Sequence, residues 1–198
     1  MNLDTYEQRT SPYLFYEFDG CFPEAAICEI NDIVKVVDAR IDISRYNSRR
    51  DANLDRFYLT KSNILHYPAL ENAIDFLMAK ETVRKIEALG GVSLAGCYLR
   101  FEVLLDKETF WLEKHTDIIE KKVSFLVFIN DNNEPEENGT DLYNDQLELV
   151  YTVPFRHNHA YMFFPGTNTW HGLEKGKPIQ YRKAVLINYV TFPTDWAV

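Results

Sequence analysis

The sequence predicts a mainly β protein with N-terminal helices, its strands wrapped into a jelly-roll-like barrel and its helices packed on one sheet. Three observations carry that expectation. In two stretches before Gly91, Phe22 to Val37 and Leu70 to Leu89, the apolar residues recur at helical spacing. Beyond it come short runs of β-branched and aromatic residues: CYLRFEVLL, VSFLVFIN, GTDLYND, LELVYTVPF, HAYMFFPG and KAVLINYVTF. Between those runs stand turn segments such as DNNEPEENG and PGTNT rather than helices, which argues against alternating βαβ units.

A chain of 198 residues that is 46% hydrophobic and 14% aromatic can bury a full core. We expect one domain over 1–198, with 1–91 a mainly helical support and 92–198 the catalytic core. The net charge of -9 argues against a general nucleic-acid or anionic-membrane surface, because neutralising phosphates requires an excess of Lys and Arg. Cys21, Cys28 and Cys97 are odd in number and show no thiolate metal spacing, so a reducing cytoplasm is expected. The N-terminus lacks the basic start and apolar core of a signal peptide, and no 18-residue apolar run occurs.

Residues 1 to about 20 read as an extended arm ending at Gly20. A helix follows from Pro23, with Phe22, Ala26, Ile30, Ile33, Val34 and Val37 along one stripe. Asp38 to Asn63 is polar and charge-rich, and reads as short strand and loop. After Pro68, two helices or one kinked helix carry Leu70, Ala73, Ile74, Leu77 and Met78, then Val83, Ile86 and Leu89, until Gly90 and Gly91 stop them.

The chemistry concentrates in the strands. His115 and Asp117 stand two apart at a strand end, so their side chains point to one face and can grip one ion. A second imidazole from elsewhere completes the two-histidine, one-carboxylate set that leaves positions open at Fe(II), and His171, after the turn FFPGTNT, is the candidate. Arg182 begins the next apolar strand and shares a face with Ala184, Leu186 and Asn188. A charge leading an interior face needs a partner, and a guanidinium fork suits a ligand carboxylate. The plainer alternative is an ion pair with one of the chain's own 30 acidic side chains. His157 and His159 form a rival i, i+2 pair in what reads as a solvated loop.

With HTD, WHG and Arg182 in place, the stretch from Tyr98 to Val190 resembles the Fe(II)/2-oxoglutarate-dependent dioxygenase superfamily, nearest to its prolyl-hydroxylase-like branch. The resemblance implies a double-stranded β-helix (a jelly-roll or cupin-like barrel), with His115, Asp117 and His171 binding Fe(II) and Arg182 binding the far carboxylate of 2-oxoglutarate. It also implies O2 as cosubstrate and hydroxylation of an unactivated carbon, with release of succinate and CO2. Many members carry Ser or Thr two residues after the arginine, where this chain has Ala184, so another residue must assist. Halogenating members have a small residue at the position of Asp117, so the carboxylate favours hydroxylation or another oxidation.

The substrate is expected to be a small molecule or a peptide. Tyr98, Arg100 and Glu102 share one face of a strand and are candidate contacts, as are Trp111 and Asn188; Trp170 is a further candidate wall. The competing function is a cupin-like metal-binding protein, an isomerase or a sensor, that does not use 2-oxoglutarate.

Overall fold

The computed structural model describes residues 1–41 and 55–198. The strands are β1 (Tyr6–Arg9), β2 (Phe15–Asp19), β3 (Arg56–Tyr58), β4 (Tyr98–Lys107), β5 (Leu112–His115), β6 (Lys121–Ile129), β7 (Thr140–Tyr143), β8 (Leu149–Val153), β9 (His159–Phe163), β10 (His171–Leu173), β11 (Tyr181–Val190) and β12 (Trp196–Ala197). The helices are α1 (Glu24–Asp38), α2 (Pro68–Met78) and α3 (Lys80–Gly90). Two antiparallel sheets face each other, one in the order β1-β2-β9-β6-β11-β4-β12 with β3 also on β4, the other in the order β5-β10-β7-β8.

The period-two rule explains why the long strands are apolar on both faces. On β11, Ala184 joins a core between the sheets with Leu104, Phe128, Leu142 and Phe163. Its neighbours Val185 and Ile187 join a larger core with Ile30, Ile33, Leu70, Ile74 and Leu77 of the helices. Each such side chain withdrawn from water contributes ~1.5–3 kcal/mol. The central strand is therefore fixed from both sides, and the residues it turns inward are held rigidly.

The helical region follows its sequence signals. α2 and α3 are separate helices, because Ala79 is extended (φ -62, ψ 135) between them. α3 ends at Gly91, whose φ of 62 suits a residue without Cβ. The α2 N-terminus is capped from outside, Glu29 of α1 accepting from the backbone N–H groups of Ala69 (3.0 Å) and Leu70 (2.9 Å). Among the described residues no helix is long and apolar enough to cross a membrane.

One region is more ordered than expected. Residues 1–20, read as an extended arm, hold a hairpin of β1 and β2, and β2 pairs with β9, Phe15 opposite Phe163 and Asp19 opposite His159. The support region thus adds three strands to the large sheet as well as helices, because pairing partners 140 residues apart leave no local trace. Of the stretch from Asp38 to Asn63, read as short strand and loop, β3 is the strand, and 42–54 lie outside the described residues.

Candidate metal centre

The histidine pair is made by strand register. β10 runs antiparallel to β5 with His171 directly opposite His115, which brings the two rings to 4.4 Å between centroids. The strands approach this closely because residue 172 is glycine: a Cβ there would lie 2.7 Å from the Leu112 carbonyl oxygen. Asp117 lies just past the end of β5, and one donor atom each from His115, Asp117 and His171 fall within 4.8 Å of one another.

The three side chains are oriented as metal ligands need to be. The Nδ1 of His115 is 2.8 Å from the Glu113 carbonyl, and that of His171 is 2.9 Å from the Thr169 carbonyl. Nδ1–H donation to those carbonyls makes Nε2 the lone-pair nitrogen of each ring. Burial pushes the His171 imidazole down to about 4 despite the pull of Asp117, so it is neutral at neutral pH. For Asp117, burial acts to raise the carboxyl. It is outweighed by the Lys121 ammonium, the adjacent His171 and the Ser124 hydroxyl, which together hold it below its ordinary value. Lys121 Nζ sits 2.5 Å from one carboxylate oxygen and Ser124 Oγ 2.5 Å from the other. Two imidazoles and an ionised carboxylate form a donor set that suits Fe(II) or a similar divalent ion.

Behind Ser124 stands Asn188, its cross-strand partner, fully buried and 3.1 Å away. Ser124 has a single proton, and giving it to Asp117 leaves Oγ as an acceptor. Asn188 Nδ2 has no partner among the described residues, and with the amide turned so that Nδ2–H donates to Oγ, the serine is satisfied. Asn188 therefore orients the carboxylate through Ser124. It does not line the cavity, and the expectation that it contacts substrate is corrected accordingly.

The cavity runs from the three donors past Leu126 and Leu186 to Arg182, Thr140, Tyr161, Asp106, Asp55 and Arg56. Arg182 is buried, as its interior-facing position predicts, and its guanidinium is already engaged within the chain. Nε donates to the Asn138 carbonyl (2.7 Å), Nη1 to the Asp106 carboxylate, and Nη2 to Thr140 Oγ1 (3.3 Å). Phe128 and Phe155 lie against it, with centroids 5.2 and 5.7 Å from Cζ. The acidic-partner alternative for Arg182 is thus realised by Asp106, directly opposite it on β4. Thr140, beside Tyr161, thus brings a hydroxyl to Arg182 from β7.

The tentative substrate residues fall elsewhere. Glu102 is fully buried, but its carboxylate is held by Arg56 (2.7 Å) and by Arg100, and neither Tyr98, Arg100 nor Glu102 lines the cavity. The face was read correctly, since Leu104 and Asp106 on the same side do reach the cavity. A ten-residue strand spans ~33 Å, however, and the cavity meets only its second half, at Leu104 and Asp106. Trp111 lines a separate surface groove with Lys175 over its ring, and Trp170 presents its carbonyl to the Tyr143 amide. His157 is exposed, whereas His159 is buried between Glu17 (2.9 Å) and Asp19 (2.7 Å), so the rival pair is split between solvent and an ion-pair network. The residues that sequence reasoning passed over are Asp106, Ser124, Lys121, Thr140, Tyr161 and Asp55. Ser124 left a trace, being a polar residue at an inward position within the apolar run from Val123 to Ile129.

No protein family model matches the chain, and no curated protein matches it in sequence. Solved structures do match in shape. A prolyl-4-hydroxylase from Pseudomonas putida aligns with a TM-score of 0.64 at 12% identity, over 90% of this chain and 93% of that one. A prolyl hydroxylase from Trichoplax adhaerens, solved with a peptide fragment of a hypoxia-inducible factor, aligns at 0.60 and 13% identity, over 89% and 83%. SnoN, a non-haem α-ketoglutarate-dependent epimerase of nogalamycin biosynthesis, aligns at 0.57 and 15% identity, over 89% and 77%. With strands, sheet order and inward-facing residues as described, the chain has the double-stranded β-helix fold of the prolyl hydroxylases and other 2-oxoglutarate–Fe(II) oxygenases.

Proposed function

We propose that the protein is an Fe(II)- and 2-oxoglutarate-dependent oxygenase that hydroxylates an unactivated carbon of a small molecule or peptide side chain. The observation that carries this reading is one cavity holding both a His-Asp-His donor set and, at its inner end, a buried arginine between aromatic rings. His115, Asp117 and His171 would hold the metal, and Arg182 with Thr140 would receive the distal carboxylate of 2-oxoglutarate. Bound together, iron, 2-oxoglutarate and O2 supply the oxidising equivalent, with succinate and CO2 as by-products.

The chain's own residues contribute orientation and exclusion of water. Backbone carbonyls fix both imidazoles, Ser124 and Asn188 fix the carboxylate, and Leu104, Leu126, Leu186 and Phe163 keep the intervening wall apolar. Low dielectric there strengthens the pairing of Arg182 with any carboxylate that reaches it.

The decisive experiment is anaerobic addition of Fe(II) and 2-oxoglutarate to the folded protein. A weak visible charge-transfer band supports the reading, and its absence in metal-loaded protein sinks it. A succinate-release screen across amino acids, small peptides, sugars and secondary-metabolite intermediates, with His115→Ala as the blank, then identifies the substrate and the outcome.

One observation favours a second reading. Asp106 already neutralises Arg182, as suits a cupin-like metal protein, an isomerase or sensor, that binds no dicarboxylate. In that case metal binds, but no charge-transfer band forms with 2-oxoglutarate.

A further inference from the structure

The inner end of the cavity holds more negative charge than a carboxylate-binding pocket calls for. Arg182 of β11 faces Asp106 of β4, and Asp55, just before β3, also lines the same cavity. Arg56 of β3 gives its Nη1 to Glu102 at 2.7 Å, and its Nε stands 3.8 Å from Asp55 Oδ1, too far for a hydrogen bond. Glu102, further along the inward face of β4, is shared by Arg56 and Arg100. Among the described residues, the other elements packed on this end add only neutral groups, Thr140 of β7 and the Tyr161 phenol of β9. Lys183 and Lys107 pair elsewhere, with Asp131 and Asp38. Among those residues Asp55, Asp106 and Glu102 thus already balance Arg56, Arg182 and Arg100, and both Asp55 and Asp106 are buried. Asp55 Oδ1 and Arg56 Nε have no hydrogen-bond partner among the described residues.

A cosubstrate carboxylate arriving here is therefore one anion too many. Three of the five guanidinium N–H donors of Arg182 are used, so it can accept a second acid geometrically. Two carboxylates on one buried cation, with Asp55 beside them, repel in a low dielectric unless a proton lies between them. We propose that Asp106 is a specificity-determining residue of the cosubstrate pocket, sharing Arg182 with the distal carboxylate of 2-oxoglutarate only when the Asp55–Asp106 pair has taken up one proton. Burial raises both groups, Asp55 to about 7 with Asp106 adding to the effect, and Asp106 also despite its contact with Arg182. The proton required is thus available near neutrality. The result is a pocket that binds a dicarboxylate tightly only toward the acid side. This inference rests on the oxygenase reading above.

The test is calorimetric titration of 2-oxoglutarate into the Mn(II)-saturated protein from pH 6.5 to 8.5, in two buffers of different ionisation enthalpy. Both carboxylates of 2-oxoglutarate stay ionised throughout, so any linked proton belongs to the protein. Wild type is expected to take up close to one proton on binding at the alkaline end, and to lose affinity by about fivefold or more across the range, the limit for one linked proton being about tenfold per pH unit. Asp106→Asn is expected to bind more tightly than wild type at pH 8.5 and to vary less than about twofold with pH. Asp55→Asn, at the same inner end but not in contact with Arg182, is expected to shift the same profile, and guards against a folding defect in the first variant; Mn(II) stoichiometry reports that both are folded. Wild-type binding that is flat with pH and releases no buffer heat overturns the inference while leaving the oxygenase reading intact. Weaker binding by folded Asp106→Asn overturns it too. Failure of all three proteins to bind 2-oxoglutarate at any pH overturns both.

Discussion

The two ends of the cavity are built on opposite plans. At the metal end the donors are tied from behind, His115 and His171 to backbone carbonyls and Asp117 to Ser124 and Lys121, while their coordinating atoms converge. At the inner end the functional groups are tied to each other, Arg182 to Asp106 and Arg56 to Glu102. The first plan orients the three donors toward one another, the Asp117 carboxylate also being paired with Lys121. The second satisfies charge before any ligand arrives, so a ligand there has to displace, share or protonate something. Pre-organisation and self-neutralisation thus occupy one barrel, separated by Leu126 and Leu186.

The largest effects test whether the metal end is a single unit. His171→Ala or His115→Ala should lower affinity for Fe(II) or Co(II) by more than the ~10–100-fold that follows loss of a supporting group, measured by anaerobic titration. If either variant retains wild-type affinity, the two ends do not differ as described. At the inner end, Arg182→Ala should cost ~3–5 kcal/mol of stability in denaturant unfolding, because it strands Asp106 as a buried charge, whereas Arg182→Met with Asp106→Leu should restore most of it. Equal losses in the single and double variants would mean the pair is not self-contained.

Smaller effects sharpen the contrast. Ser124→Ala should weaken metal binding ~10–100-fold while leaving the folded state near wild-type stability, since the group acts through Asp117. Loss of stability with unchanged metal affinity would assign Ser124 to packing instead. Asp55→Asn should change stability in a pH-dependent way. Asp55 titrates near 7 in the folded protein and near 4 when unfolded, so between those values the folded state binds the extra proton and stability falls as pH rises. The variant lacks that loss: it should be ~2–4 kcal/mol more stable than wild type at pH 8, the gain vanishing toward pH 4, read from urea midpoints at each pH. A constant offset would place the effect outside ionisation.

The split between what the sequence showed and what it hid follows the range of each interaction. Helices α1 to α3 and the long strands were legible because apolar periodicity is local: Ile30, Ile33 and Val34 declare a helix face, and the run from Val123 to Ile129 declares a strand, without reference to anything distant. His115 and Asp117 were legible for the same reason, being two residues apart on one strand end. His171 and Arg182 could be proposed from residue type and spacing, and the fold places both at the cavity. The β2–β9 pairing was not legible, nor was the register that sets His171 opposite His115. Both depend on which strands meet, which chain-wide packing decides. Tyr98, Arg100 and Glu102 do not line the cavity, because a strand face predicts direction but not how far along the strand a cavity extends.

By itself, then, the sequence determined the class of fold, the helix and strand faces and the closeness of His115 to Asp117, since these follow from side-chain chemistry and short-range period. Only the tertiary structure decided that Asp106 lies against Arg182. That contact joins residues 76 positions apart, and its consequence arises from burial, which makes each additional charge at one guanidinium costly.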